Sequence, residues 1–209
     1  MTTEMFTTTS THSSTNQNTD QPLTQRQKLE AALHDDWAAE YNWQTLNPSV
    51  AMTAETAVEC RHIVKTMGAL SGKTILDLGC GTGEAAVYFA LQGATVVACD
   101  ISPKCIDVVH KLAVKYGVAD KVSGQVSPSE SLPLADASVD FVFGNGVLHH
   151  IDIPPSLAEI HRVLKPGGRG FFIEPLPYNP IINVYRVLAS TVRTPDEQPL
   201  SRQDVAALR

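Results

Sequence analysis

A chain of 209 residues with a formal net charge of −6 and 43% hydrophobic residues can bury one substantial core. It offers no basic face for a phosphate backbone and no apolar run of membrane-spanning length, so neither nucleic acid nor integral membrane association is expected. Its four cysteines, Cys60, Cys80, Cys99 and Cys105, lack Cys-x-x-Cys spacing and read as small buried hydrophobes, which leaves zinc and disulfide frameworks without support and no metal expected.

Residues 1–25 hold nine Thr and three Ser, with Glu4 and Asp20 as the only charged side chains, and are expected to form a disordered tail. The tail has neither the Arg content of a transit peptide nor the apolar centre of a secretory signal, so a cytoplasmic location is expected. Over residues 26–42, Leu29, Leu33, Trp37 and Tyr41 recur every fourth position, which predicts an amphipathic helix packing one apolar stripe. A second helix is expected with Thr53 as its N-cap, carrying Val58, Ile63, Val64 and Met67 and ending at Gly68. Together they make 26–70 a helical cap.

From residue 71 onward, apolar strands alternate with helices. Strands are expected at 74–78, 95–99, 121–126, 139–143 and 170–174, and helices at 84–92, 103–116 and 155–164. Gly93, Gly117 and Gly167-Gly168 fall where helices should end, with Pro166-Gly167-Gly168 a tight turn feeding the last strand. One more helix is expected over 179–190. The alternation predicts an α/β fold with a doubly wound, mostly parallel sheet.

The most telling segment is Ile75-Leu76-Asp77-Leu78-Gly79-Cys80-Gly81-Thr82-Gly83-Glu84, an apolar strand entering three glycines before a helix. Such a loop can bring its backbone against a nucleotide-type ligand. Its third glycine comes one residue earlier than in the dinucleotide fingerprint, and Asp77 places a negative charge near the mouth that suits a cationic ligand better than a diphosphate. The second strand runs into Asp100, 17 residues beyond Gly83, where a carboxylate can grip two ribose hydroxyls; the plainer reading is a cap on the following helix. Ile101 would give an adenine ring an apolar plate.

Past the fourth strand, Gly144-Asn145-Gly146 lets backbone approach a reacting centre. His149 and His150 are acid–base candidates, although at least one of them reads better as a packed, backbone-bonded side chain. Glu174, at the end of the last strand, either meets substrate or caps neighbouring amides.

Four motifs carry a family resemblance: Leu76-Asp77-Leu78-Gly79-Cys80-Gly81-Thr82-Gly83, Cys99-Asp100-Ile101-Ser102, Val147-Leu148-His149-His150-Ile151 and Val163-Leu164-Lys165-Pro166-Gly167-Gly168. In these the chain resembles class I S-adenosylmethionine-dependent methyltransferases with a Rossmann-like sheet, in particular those similar to ubiquinone and menaquinone C-methyltransferases. The resemblance implies S-adenosylmethionine as cofactor and a small-molecule methyl acceptor. It implies that Asp77, Gly79, Cys80, Gly81, Thr82 and Gly83 bind the cofactor, with Asp77, Gly79 and Gly81 at its methionine end. Asp100 and Ile101 would hold ribose and adenine, and Asn145 would lie near the sulfonium.

The family's usual acid for the adenine amino group is replaced by Pro128, leaving Ser127, Ser129 or a carbonyl to serve. His149, His150 or Glu174 would act as base where the nucleophile arrives protonated, and the first helix would be a lid. The family's sheet ends in two further strands, which this sequence is expected to lack through truncation. The edge left open would suit a homodimer or a partner chain. A non-catalytic or partner-completed S-adenosylmethionine-binding module, and an NAD(P)-dependent oxidoreductase, are the alternatives.

Overall fold

A computed structural model describes residues 22–174 and 200–201. Helix α1 (Gln25–Glu40) opens on a capping box, in which the Thr24 hydroxyl accepts from the Gln27 amide and the Gln27 side chain accepts from the Thr24 amide. A 3-10 turn (Trp43–Thr45) and the short helix α2 (Pro48–Thr53) follow, then α3 (Val58–Met67), closed by Gly68 at φ 76°. Thr53 therefore ends a helix and does not begin one. Asn47, whose side chain accepts from the Val50 amide, and Pro48 in the first turn start α2 upstream of the expected position.

The alternating part runs β1 (Thr74–Leu78), α4 (Glu84–Leu91), β2 (Thr95–Asp100), α5 (Pro103–Lys115), β3 (Val122–Val126) and β4 (Val139–Asn145). After a 3-10 turn (Leu148–His150) come α6 (Ile153–Val163) and β5 (Leu164–Ile173). The five strands are all parallel in the order β3-β2-β1-β4-β5, and among the described residues β5 pairs only with β4. Strand order reverses at β1 and β4, so the carboxyl ends of these two strands open a crevice.

Period-2 alternation divides the core between the two faces of the sheet. Ile75, Val96, Phe141 and Phe143 pack with α2 to α5, where Phe89 meets Phe143 edge-on at 5.2 Å between ring centroids. Leu76, Leu78 and Val142 pack on the opposite face with Ile160 and Val163 of α6 and with Leu200. Both faces are thus covered, as an all-parallel sheet requires.

Two further expectations are corrected by the fold. Gly167-Gly168 neither end a helix nor precede the strand; they lie inside β5. There the pairing slips, with Val139 opposite Leu164 and Phe141 opposite Arg169, and the Pro-Gly-Gly segment bulges out at Gly167, φ 79°. The second concerns α1, whose apolar stripe is not packed into the core: most of it meets solvent, and Trp37 lies over Gly81. Leu29 is 52% exposed, Trp37 41% and Tyr41 42%, whereas Glu30 and Ala38 are buried. The physical reason is that α1 rests on polar partners: the start of α5, Glu130 and His150. The tail up to residue 21, the helix expected over 179–190 and the loops at 175–180 and 193–197 lie outside the described residues.

Candidate cofactor crevice

The crevice at the switch point is lined by Leu78, Gly79, Gly81, Cys99, Asp100 and Ile101 on one side and by Asn145, Gly146, Val147, His150 and Ile151 on the other. Ser127, Pro128, Ser129 and Glu130 form its end wall, and Arg26, Gln27, Glu30, His34 and Trp37 of α1 form its roof. All three loop glycines have positive φ, 63° at Gly79, 49° at Gly81 and 79° at Gly83. Close packing fixes two of them. A Cβ on Gly79 would sit 2.5 Å from Val147 Cγ2, and one on Gly83 would sit 2.6 Å from Val109 Cγ2 of α5. At Gly81 the nearest atoms are on the Trp37 ring, 3.6 Å away, so this glycine faces the roof.

Behind the loop, Asp77 is 2% exposed and its Oδ2 has no hydrogen-bond partner among the described residues. Burial drives its carboxyl up to about 7, opposed by the Ala86 amide in the first turn of α4 and reinforced by repulsion from Asp100. A buried acid with an unsatisfied oxygen fits a positively charged ligand, which is the test an adenosyl sulfonium cofactor has to pass here.

Asp100 ends β2 and stitches the loop together. Its Oδ2 accepts from the Gly81 amide and its Oδ1 from the Ser102 amide, each at 2.9 Å. Burial pushes this carboxyl up as well, against those two amides, which favour its charge. The cap of α5 is Ser102, whose hydroxyl accepts from the Cys105 amide and donates to Asp35 of α1. Burial, with the nearby carboxylates, raises the thiols of Cys80, Cys99 and Cys105, the last two to about 12, so all three stay protonated. Thr82 is buried with its hydroxyl 3.5 Å from Glu84. Ser129 borders the crevice but bonds to Ser156 of α6 at 2.9 Å and to Glu130 at 3.1 Å.

The three acid–base candidates separate. Glu174 Oε1 accepts from the Val147 and Leu148 amides at 2.9 and 2.7 Å, and Oε2 lies 2.7 Å from His149 Nδ1. This carboxylate thus caps the 3-10 turn and orients His149, and neither residue lines the crevice. His150 does, with its Nδ1 3.4 Å from Glu30. Glu30 and His34 line the crevice, and Asp35 ties α1 to the start of α5, although nothing in α1's apolar periodicity pointed to them. The available signal was Glu30-x-x-x-His34, which puts two polar groups one turn apart beside the apolar stripe.

Residues 76–172 match the family model described as a methyltransferase domain. An uncharacterized methyltransferase of Synechocystis is 32% identical over 144 residues, 66% of this chain and 65% of that protein. The ubiquinone/menaquinone biosynthesis C-methyltransferase UbiE of Hahella chejuensis is 30% identical over 167 residues, 78% of this chain and 66% of its own. Among solved structures, the YcgJ protein of Bacillus subtilis superposes with a TM-score of 0.62 at 26% identity, covering 71% of this chain and 64% of that one. Against the first five curated relatives the chain spans between 44% and 66% of their length. Sheet order, glycine cradle and sequence match fall on the same stretch, and over residues 76–172 the chain carries a methyltransferase domain similar to those of S-adenosylmethionine-dependent methyltransferases.

Proposed function

We propose that the protein transfers the methyl group of S-adenosylmethionine to an oxygen, carbon or nitrogen nucleophile of a small molecule, as an EC 2.1.1-type enzyme of the cytoplasm. The observation that carries this reading is the buried, half-satisfied Asp77 directly behind a glycine cradle at the switch point. The four free cysteines fit a reducing compartment. A small-molecule acceptor is supported by the Hahella relative, whose name places it in quinone biosynthesis.

Bound S-adenosylmethionine supplies an electrophilic methyl on a leaving group that is already charged. This chain's residues then bind and align. Asp77 contributes negative potential behind the loop, and Gly79 and Gly81 let backbone reach the ligand. Each Asp100 oxygen holds one amide and keeps a lone pair for a ribose hydroxyl. Ile101 and the wall at Ser127, Pro128 and Ser129 flank the adenine, while Asn145 and Gly146 border the space for the acceptor.

Residues 26–70 form the cap, with α1 as a lid that excludes water. Holding donor and acceptor collinear lowers a barrier by about 7–11 kcal/mol in well-oriented systems. Where the nucleophile carries a proton, His150 is positioned to take it, while His149 and Glu174 support the turn that presents His150.

Calorimetric titration with S-adenosylmethionine tests the assignment. Asp100→Ala removes charge-assisted bonds of about 1.5–3 kcal/mol each, so affinity should fall at least about tenfold. Unchanged affinity would rule out the ribose role. A labelled methyl donor incubated with a panel of quinol, phenol and small-acid acceptors then reads the transfer itself.

A further inference from the structure

Over the crevice, α1 contributes two polar side chains one helical turn apart, Glu30 and His34, and the turn after β4 contributes His150. His150 Nδ1 lies 3.4 Å from Glu30 Oε2, and His34 Nε2 lies 3.7 Å from the same oxygen. The two imidazole rings meet edge-to-face with centroids 5.7 Å apart. One ligand atom from each of the three residues falls within 4.8 Å of the other two.

A tetrahedral cation held at about 2.0–2.1 Å needs ligand atoms roughly 3.3 Å apart. Two of the three edges are already near that length, and the third closes by a small rotation of either ring. Two neutral imidazoles and one carboxylate make the donor set that suits zinc-class divalent cations, and a hard oxygen-seeking ion such as Mg2+ is a poorer match.

We infer that Glu30, His34 and His150 form a binding site for a single Zn2+-class divalent cation that bridges the roof helix to the body of the protein. Three protein ligands leave one position open. All three residues line the cofactor crevice, so that position faces the space assigned to the acceptor. The cation would hold α1 down and, in place of His150 acting as base, draw in acceptors bearing an ionisable oxygen, such as a phenol, enol or hydroxy acid, as their anions. Only this last point rests on the methyl-transfer reading.

The full-length chain, stripped of metal by a chelator, is titrated above neutral pH with Zn2+ by calorimetry and with Co2+ by visible absorption, without S-adenosylmethionine. One high-affinity equivalent per chain is expected, with the intensified Co2+ bands of a low-coordinate site. His34→Ala and His150→Ala should each weaken binding by about 10-fold or more, the scale on which even outer-shell losses are felt. His62→Ala, exposed on α3, should change nothing.

His34 is one-third exposed on a helix surface, so its replacement leaves the core intact, and a wild-type melting curve verifies this. Absence of a one-to-one site overturns the inference, as does an affinity indifferent to both histidine variants. The cluster would then be an ion-pair latch only. Because the titration contains no methyl donor, its failure leaves the S-adenosylmethionine binding test untouched, and the converse also holds.

Discussion

At Asp77 the demands of folding and of ligand binding pull in opposite directions. With a carboxyl near 7 in the folded chain, against about 3.9 unfolded, the native state holds a proton that the unfolded state has released. Stability therefore declines as pH rises from about 4 to about 7 and stays low above that. A cationic ligand favours the ionised form, so its affinity should improve over the upper part of the same window. Asp77→Asn is expected to raise the melting temperature at pH 8 by about 3 °C or more. At pH 5, about one unit into that roughly three-unit window, the rise should be about a third as large, and the variant should weaken S-adenosylmethionine binding at pH 8 about tenfold or more. Scanning calorimetry paired with titration at the two pH values decides the point; a variant that binds normally at pH 8 would contradict the role given to this carboxylate. The residue was legible from sequence, as an acid before three glycines, but its missing partner and raised carboxyl were not. Both depend on how completely α4 and Asp100 enclose it.

Among the elements, α4, α5, β1 and β2 were readable to within a residue at each end, because short apolar runs and glycines at 83, 93 and 117 punctuate them locally. Helix α1 shows where that kind of reading stops. Its existence follows from periodicity, yet the face it turns inward is chosen by Ser102 and Lys104, 67 and 69 residues away in sequence, and by His150, 120 away. Asp35 Oδ1 accepts from the Ser102 hydroxyl at 2.5 Å and from the Lys104 amide at 3.1 Å, which fastens α1 to the first turn of α5. Losing a cap-like contact of this kind costs about 1 kcal/mol. Asp35→Ala should therefore speed amide hydrogen exchange across residues 25–40 about fivefold while leaving β1 and β4 protected. Exchange in α1 that stays as slow as in the parent chain would mean that other contacts carry the helix.

For the molecule as a whole, the doubly wound plan was legible, since each strand-to-helix alternation leaves few topologies open. The crevice at β1 and β4 follows from that plan. What escaped was the asymmetry of its two sides. The floor is set by steric fit, with Val147 and Val109 pressed against glycine backbone. The roof is joined through Glu130 to Arg26 and Gln27, through His150 to Glu30 and through Ser102 to Asp35, while several of its apolar side chains meet solvent.

A roof attached in this way behaves less like a greasy plug than like a magnetic clasp, and clasps of that sort loosen in brine. At about 1 M NaCl the screening length contracts to about 3 Å, so attraction between the partly exposed charges should fade while the apolar floor is unaffected. Escape of bound S-adenosylhomocysteine, followed by stopped-flow quenching of Trp37 fluorescence, should then quicken severalfold with added NaCl. A release rate flat across ionic strength would show that the cover lifts by some other means.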